Sequence, residues 1–388
     1  MKIFSTRLNF FLLISYSIWI LYLYFLYLGS NFIKGGNFTN GYKLGNDSPR
    51  YINAAESLLK FTFPEGKALS YLSYDFFLAC ILFFRNNLFD IVIAQIILTG
   101  ISAFCLYLLT KLIFNKNIGI LAFIIFLFYP DLQIRNFYIL TESIIISLPI
   151  ISFYLIFTNK KISKTIGYFL MFFSSFIRPH AVTLIPLILI LLFFEIEKIN
   201  KKIAKKLFFI FCLIFFPILY ILINYLLKNE NIINILVSGQ IIGEYDGLKI
   251  NDTPEVFKKS SSNLIDLFLL IIQNPVYFIK AFFIKLFWFF TRIRPYYSDV
   301  HNLLIIFLTI PLYVAFIFGL SCKAKYNNLR NVLIAYIFLV TFSVCITFID
   351  WSGRFLLPII PIILIFSSAG FFKIFKFLSI KNKNKYLN

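Results

Sequence analysis

The chain has 388 residues, of which 60% are hydrophobic and only 14% are charged. Apolar runs of about 20 residues recur along it, each long enough to cross a hydrocarbon core of about 30 Å as a helix. The composition excludes a water-soluble globular protein and predicts an all-α polytopic membrane protein, with about ten membrane-spanning helices in a range of roughly 9–12.

The net charge of +20 comes from lysines and arginines that stand in short clusters between the apolar runs. Such clusters mark cytoplasmic loops under the positive-inside rule, so we interpret them as topology signals and expect no nucleic acid as partner. They predict that 371–388 is a basic cytoplasmic tail. The clusters are Lys2/Arg7, Lys111/Lys116, Lys160/Lys161/Lys164, Lys198/Lys201/Lys202/Lys205/Lys206, Lys323/Lys325/Arg330 and Lys373 to Lys385.

The first apolar run, Leu8–Ser30, follows basic residues and has no small-residue cleavage site after it. We expect it to remain as an anchor, with 31–67 on the external side. Two further runs, 68–84 and 88–110, precede the next basic cluster, and two crossings would leave that cluster outside. The run 68–84 is the shorter and contains Asp75, so we expect an external interfacial or re-entrant helix there.

The same parity argument organises the rest of the chain. Residues 31–87 form a first external loop, and 228–301 form a second external region in which Asn274-Pro275 breaks the apolar run 264–290 into interfacial helices. Residues 1–370 are expected to form a single transmembrane catalytic domain. The remaining predicted spans are 118–138, 139–157, 166–178, 181–194, 207–227, 302–320, 331–349 and 354–370.

The first external loop contains the element Asp47-Ser48-Pro49-Arg50-Tyr51, followed by an amphipathic stretch. Ser48 can cap that helix, with Pro49 at its first position. Asp47 then lies just before a surface helix, where a carboxylate can deprotonate an acceptor hydroxyl. The alternative is an acid whose role is only to cap the helix.

Two further charged residues lie at the ends of apolar runs. Glu142 opens an apolar helix, where an ionisable group is either functional or an acid favoured by the helix dipole. Arg178, in Arg178-Pro179-His180, lies at the tip of two short apolar runs. Its planar fork suits a phosphate, and the alternative is snorkelling to lipid headgroups.

A last group of arginines lies toward the C-terminus. Arg354 opens the last predicted helix and has a competing partner in Asp350. Arg292 and Arg294 add positive charge to the second external region. Because external basic residues run against the positive-inside bias, we expect an anionic ligand near them.

Metal-binding patterns are sparse in this sequence. His180 and His301 are its 2 histidines, too few for a three-histidine zinc site, and the 5 cysteines show no CxxC spacing. A divalent cation held by Asp47 and Glu142 is left open. The sequence therefore predicts no certain cofactor.

The order of these elements resembles the GT-C superfamily of membrane glycosyltransferases. After the first helix come the Asp47-Ser48-x-Arg-Tyr loop, Glu142 following a Tyr-Pro, Arg178-Pro, and an Arg-Phe-x-x-Pro-x-x-Pro stretch from Arg354. The chain looks closest to the branch of protein O-mannosyltransferases and lipid A aminoarabinose transferases, over residues 1 to about 370. The Asp-Glu pair usual in that branch is Asp47-Ser48 here.

The resemblance implies an inverting transfer of a sugar from a polyprenyl-phosphate donor to a lipid-linked glycan, lipid or protein acceptor. It implies that Asp47 is the general base, and that Arg178 and Arg354 hold the carrier phosphate. The remaining predicted site residues are Glu142 for catalysis and Arg50, Tyr51 and His180 for substrate binding.

Two other functions compete with this one. A polysaccharide polymerase or ligase using lipid pyrophosphate-linked glycans is also polytopic, but Asp47 just after the first helix favours the transferase. A lipid-linked-sugar flippase or transporter predicts mid-membrane ionisable residues along a pathway and often repeated halves. We expect a multi-pass protein surrounded by the lipids of a bacterial cytoplasmic (inner) membrane, with its active site facing outward.

Overall fold

The computed structural model describes residues 2–33, 41–158, 160–202, 205–206, 239–243, 247–251, 253–254, 263–347, 349–350 and 352–385, with the single positions 209, 213, 217 and 245. Of the described residues, 78% are helical. Within those residues there is no β-strand, and extended pairing is limited to isolated bridges. The all-α architecture is thus confirmed. The predicted span 207–227 and most of residues 228–262, the first part of the predicted second external region, lie outside the described residues.

The described helices are numbered here in chain order. Four short 3₁₀ turns accompany them, at Gly66–Tyr71, Arg135–Phe137, Pro179–Thr183 and Leu357–Ile359. The α-helices are α1 (Lys2–Ile33), α2 (Ser48–Leu59), α3 (Leu72–Phe84), α4 (Leu88–Ile113), α5 (Lys116–Phe128), α6 (Pro130–Ile134), α7 (Glu142–Ile156), α8 (Lys161–Ser174), α9 (Leu184–Ile199), α10 (Asn263–Gln273), α11 (Pro275–Thr291), α12 (Asp299–Leu320), α13 (Asn327–Cys345) and α14 (Ile360–Lys385).

Long apolar helices make this an integral membrane protein. In the described part of the chain, 6 helices are long and apolar enough to cross a membrane. Two shorter apolar helices, Ala68–Phe84 and Glu142–Ile156, fall below that length. The 6 segments are Phe10–Leu28, Leu88–Ile113, Pro179–Glu197, Asp299–Leu320, Asn327–Cys345 and Leu357–Leu378.

The predicted span 118–138 is not one straight helix. The chain bends by 54° between Lys116–Phe128 and Pro130–Phe137. Tyr129 at the junction is extended, with φ −78° and ψ 109°. Proline disfavours helical backbone in the residue before it and has no N–H for the helix, so Tyr129-Pro130 ends α5 here.

By internal contacts the chain divides into two units. The first comprises Met1–Leu184, Ile310–Ile334 and Leu357–Asn388, and the second comprises Ile185–Thr309 and Ala335–Leu356.

At the centre of the first unit lies α7, which is buried over almost its whole length and packs against α4 and α8. Gly167 permits the close approach of α8, because a Cβ at this position would lie 2.9 Å from the main-chain nitrogen of Ile156. Burial on all sides explains why α7 is apolar around its circumference apart from Glu142 and a few serines.

Within the second unit, the predicted break at Asn274-Pro275 is confirmed. Helix α10 ends at Gln273 and α11 begins at Pro275. Proline is tolerated at the first position of a helix because the N–H that it lacks would have no hydrogen-bond partner within the helix. Helix α11 meets α13 through Phe282 and Phe342, whose ring centroids are 5.9 Å apart.

The last helix is longer than the predicted span 354–370. It begins at Ile360, later than expected, and continues to Lys385 through most of the predicted tail 371–388. Apolar and small residues on its first half are fully buried within the first unit.

Candidate active site

The first loop is fastened to the chain that leads into α7. The main-chain N–H of Lys43 donates to the carbonyl of Phe137 at 2.8 Å, and that of Ile139 donates to the carbonyl of Lys43 at 3.0 Å. The hydroxyl of Ser48 donates to the carbonyl of Ile139 at 2.7 Å. These bonds hold the start of α2 beside the segment that precedes Glu142.

The expectation that Ser48 caps α2 is wrong. The helix begins at Ser48 itself, and the Ser48 hydroxyl accepts from the main-chain N–H of Gly45 at 2.8 Å while it donates to Ile139. Asp47 occupies the cap position, but its side chain makes no cap hydrogen bond. The alternative in which Asp47 only caps the helix is therefore not what the structure shows.

Asp47 instead forms an ion pair with Arg50. Asp47 Oδ1 lies 3.2 Å from Arg50 Nη2, and the two side chains are 28% and 25% exposed. Arg50 lies over two aromatic rings, 4.9 Å from the ring centroid of Tyr51 and 4.6 Å from that of Tyr71. Cation–π contact and the ion pair together fix the guanidinium next to a half-exposed carboxylate.

Tyr51 connects this pair to the interior of the unit. Its ring is buried and lies in a T-shaped, edge-to-face arrangement with the Tyr74 ring, with the two ring centroids 5.1 Å apart. Burial raises the pKa of Tyr51, and the charges of Tyr71, Asp47 and Glu142 raise it further. Tyr51 therefore lies within electrostatic range of both predicted catalytic acids.

Glu142 and Arg178 form a second acid–arginine pair. Helix α7 begins at Glu142, as predicted, and its carboxylate Oε1 lies 3.8 Å from Arg178 Nη1. Both side chains are buried, with 1% and 6% exposure. The helix dipole favours an acid in the first turn, and Arg178 adds an opposite charge in a region of low dielectric.

A buried polar network holds the start of α7. Asn136 Oδ1 accepts from Ser143 Oγ at 2.6 Å and from Thr99 Oγ1 at 2.7 Å. Gln133 accepts from Asn136 at 3.3 Å and from the indole N–H of Trp19 at 2.9 Å. Because Ser143 follows Glu142 directly, this network orients the acid from α1, α4 and the bend before α7.

Asp75 and Tyr74 belong to the same region, and the sequence analysis did not assign them a role. Both lie on α3 with 0% exposure. Burial raises the pKa of Asp75 to about 7, and Arg50 opposes the rise. Burial raises the pKa of Tyr74, and Glu142 and Tyr51 add to it. The available signal is an acid inside an apolar run, which can indicate a functional site. In the sequence, Asp75 served only as evidence that 68–84 does not span the membrane.

The tip between α8 and α9 brings Arg178 to this region. Its backbone is extended before Pro179, and the carbonyl of Phe176 nearby accepts from the main-chain N–H of Ser73 at 3.2 Å. His180 is half-buried in the following turn, where its carbonyl accepts from Thr183 Oγ1 at 2.9 Å.

In the second unit, Arg354 does not open the last helix as predicted. It lies in a turn before α14, where the carboxylate of Asp350 accepts main-chain N–H groups from Ser352 at 3.0 Å, Arg354 at 2.7 Å and Phe355 at 3.0 Å. These bonds and the prolines at 358 and 361 delay the helix. The Arg354 side chain is 30% exposed, and its Nε lies 3.9 Å from Asp350.

Arg294 is fully buried and bonded to main-chain carbonyls. It donates to the carbonyls of Trp288 at 3.1 Å, Ile293 at 2.9 Å and Asp350 at 3.2 Å. Arg292 is also buried and ends α11 in the left-handed region, with φ 56°. Gly353 lies against it, because a Cβ there would be 3.0 Å from Arg292 Nε.

The alternative of a cation held by Asp47 and Glu142 stays a prediction. Among the residues that the structure describes, no three His, Cys, Asp or Glu side chains form a metal-binding group. Asp47 and Glu142 each have an arginine beside them, Arg50 and Arg178 respectively.

No protein-family model matches this chain, and no curated protein matches its sequence. The function proposed below is inferred from the site itself.

Proposed function

We propose that this chain is a membrane glycosyltransferase of the GT-C type, which moves a sugar from a polyprenyl-phosphate donor to a lipid-linked glycan, lipid or protein acceptor. The observation that carries the proposal is the Asp47–Arg50 pair. A half-exposed carboxylate, not used to cap its helix, lies beside an arginine held over two tyrosine rings. This arrangement offers a proton acceptor and a fixed positive charge in one place.

The reaction is a displacement at the anomeric carbon of the donor sugar. The acceptor hydroxyl oxygen forms the new bond to that carbon while the bond to the carrier phosphate oxygen breaks, which inverts the configuration. The hydroxyl proton passes to the carboxylate of Asp47, and the electron pair of the broken bond leaves on the polyprenyl phosphate. Positive charge near the leaving phosphate stabilises the transition state.

The arginines supply that charge. Arg178 is buried and oriented by Glu142, whereas Arg354 is partly exposed, with its Nε 3.9 Å from Asp350. Arg50 is the third arginine, and its guanidinium is next to the base. A planar guanidinium can donate two parallel hydrogen bonds to phosphate oxygens, which a lysine ammonium cannot.

Glu142 is assigned a supporting role in this proposal. Its contact with Arg178 orients that guanidinium, and its negative charge reaches Tyr51 and Tyr74. It is the second candidate for the general base, because it is the other acid whose charge raises the pKa of Tyr51. The site is proposed to face outward, where sugars linked to lipid phosphates are usable without nucleotide sugars.

The test uses membranes that contain the protein and radiolabelled polyprenyl-phosphate sugars of several kinds. We expect one label to move to a lipid, lipid-linked glycan or protein acceptor, and not to move in membranes that lack the protein. Transfer of label only from lipid pyrophosphate-linked glycans would contradict the proposal and favour a polymerase or ligase. Movement of intact labelled donor across the membrane without transfer would favour a flippase.

The proposed phosphate role of the arginines has its own test. Arg178→Lys and Arg354→Lys should each weaken donor binding by roughly 1.5–3 kcal/mol, because each loses a charge-assisted bond that Lys cannot replace. Binding of radiolabelled donor to the purified variants measures this, and Arg85→Lys is the control, since Arg85 is 74% exposed and pairs with Asp90. If both variants bind donor as wild type does, the arginines have a structural role.

A further inference from the structure

Three buried polar atoms on α3 have no hydrogen-bond partner in the described part of the chain. They are both carboxyl oxygens of Asp75 and the hydroxyl of Tyr74, and both residues are 0% exposed. Leaving buried polar groups without partners is costly, and native proteins rarely do so without a reason. The folded chain alone thus places an unsatisfied acid and phenol in its interior.

The surroundings of Asp75 do not provide the missing partner. Arg50 is the charged group that acts on it, but Arg50 pairs with Asp47 and lies over Tyr51 and Tyr71. Among the described residues, no lysine, arginine or histidine forms an ion pair with Asp75. Both oxygens of the carboxyl therefore lack a hydrogen-bond partner among the described residues.

The position of the two residues ties them to the proposed catalytic region. Tyr74 meets Tyr51 edge to face at 5.1 Å, and Tyr51 follows Arg50 directly. Tyr74 is affected by the charges of Glu142 and Asp75. The unsatisfied atoms therefore lie close to both acid–arginine pairs of the first unit.

We propose that Asp75 and Tyr74 form a subsite that recognises neighbouring hydroxyls of the donor sugar, an inference that rests on the proposed function. Two adjacent ring hydroxyls match the two oxygens of one carboxyl group, and the phenol supplies a third hydrogen bond. Each group would gain in the complex the partner that it lacks in the chain. A sugar without one of those hydroxyls would leave a buried acceptor unpaired, and this gives the site its selectivity.

The burial of Asp75 agrees with this role. With a pKa of about 7, its carboxyl is partly neutral at neutral pH and can then donate as well as accept a hydrogen bond. A metal site is a weaker account, since no three His, Cys, Asp or Glu side chains come together within the described residues.

The experiment compares variants with deoxygenated donors. The sugar that wild-type membranes transfer is identified first, from polyprenyl-phosphate glucose, galactose, mannose and arabinose. The deoxy analogues of that sugar, one for each ring hydroxyl, are then presented to wild type, Asp75→Asn, Tyr74→Phe and the control Asp90→Asn. Steady-state kinetics gives kcat/KM for every pair.

We expect wild type and Asp90→Asn to lose roughly ten- to hundredfold in kcat/KM with one or two adjacent deoxy donors. Asp75→Asn should have a similarly lowered kcat/KM with the complete donor. Its kcat/KM should fall little further when the same deoxy donors replace the complete donor. Tyr74→Phe should do the same for a single hydroxyl. Binding of bare polyprenyl phosphate should be equal in all four proteins.

Other outcomes overturn the inference. If the deoxy penalties in Asp75→Asn and Tyr74→Phe equal those of wild type, the residues do not touch the hydroxyls and water or packing satisfies them. Should Asp75→Asn fail to fold, Tyr74→Phe, which removes one oxygen, decides the question alone. Failure of wild type to transfer any of the four sugars is a different result, since it rejects the proposed function before any variant is tested.

Discussion

The charged side chains of the two units have different kinds of partners. In the first unit Arg50 and Arg178 face the side chains of Asp47 and Glu142, at 3.2 and 3.8 Å. In the second unit Arg294 donates to three main-chain carbonyls, and Asp350 accepts three main-chain N–H groups.

This contrast teaches that burial of an arginine does not by itself mark an active site. The bonds of Arg294 and Asp350 hold the turn between α13 and α14 and the end of α11, which is a structural task. In an ion pair between side chains, the guanidinium N–H groups and the carboxylate oxygens can also bind a substrate, which shares or displaces the original partner. We therefore place the proposed general base in the first unit.

The largest effect on stability is expected from Glu142→Ala. It leaves the buried Arg178 without its opposite charge, and removal of one partner of a buried pair costs roughly 3–5 kcal/mol. The melting temperature of the protein in detergent should fall accordingly.

The double variant Glu142→Met with Arg178→Met sharpens this test. Two apolar side chains of similar length should recover most of the stability but not the transfer activity, because the pair has been replaced and not broken. A Glu142→Ala protein as stable as wild type would show that Arg178 does not depend on this acid.

A smaller loss is expected in the second unit from Arg294→Met. It removes the donor to three main-chain carbonyls, of which the bond to the Asp350 carbonyl is buried, and this should cost about 1–3 kcal/mol in unfolding free energy. The folded fraction should bind donor as wild type does, since the account gives Arg294 no substrate contact. An Arg294→Met protein with normal stability but without donor binding would contradict this account, because it would give Arg294 a substrate-binding role and not a structural one.

The sequence predicted those parts of this picture that depend on local signals. The acid at the start of α7 and the break at Asn274-Pro275 follow from charge near a helix start and from proline chemistry. The sequence likewise predicts Asp47 as an acid just before a surface helix and Glu142 as an acid that opens an apolar helix.

Other features were not predictable because they depend on partners far apart in the chain. The hydroxyl of Ser48 bonds to Ile139, which is 91 residues away, and this distant contact removes it from capping. Arg50 lies over Tyr71 of a different segment, and Asp75 lies on α3, against which α2 packs. No residue periodicity within a single segment reports such contacts.

The smallest effect concerns pH and Asp75. Burial raises the pKa of Asp75 to about 7 in the folded protein, above the ordinary carboxyl value of 3.8. The neutral acid therefore favours the folded state at low pH, and this contribution is lost as the pH rises from 3.8 toward 7. Asp75→Asn has no charge to bury. Its melting temperature relative to wild type should therefore be higher at pH 8 than at pH 5. An equal difference at both pH values would mean that Asp75 does not titrate in this range.

The central claim is that Asp47 is the general base of a glycosyl transfer, and one rate comparison tests it most directly. Single-turnover transfer from the labelled donor is measured for wild type, Asp47→Asn and Asp90→Asn, the last because Asp90 also pairs with an arginine, at 3.6 Å. The account predicts that Asp47→Asn is folded, binds donor normally and transfers roughly a hundredfold or more slowly, while Asp90→Asn transfers at the wild-type rate. A folded Asp47→Asn protein with near-normal transfer would contradict the claim and make Glu142 the candidate base.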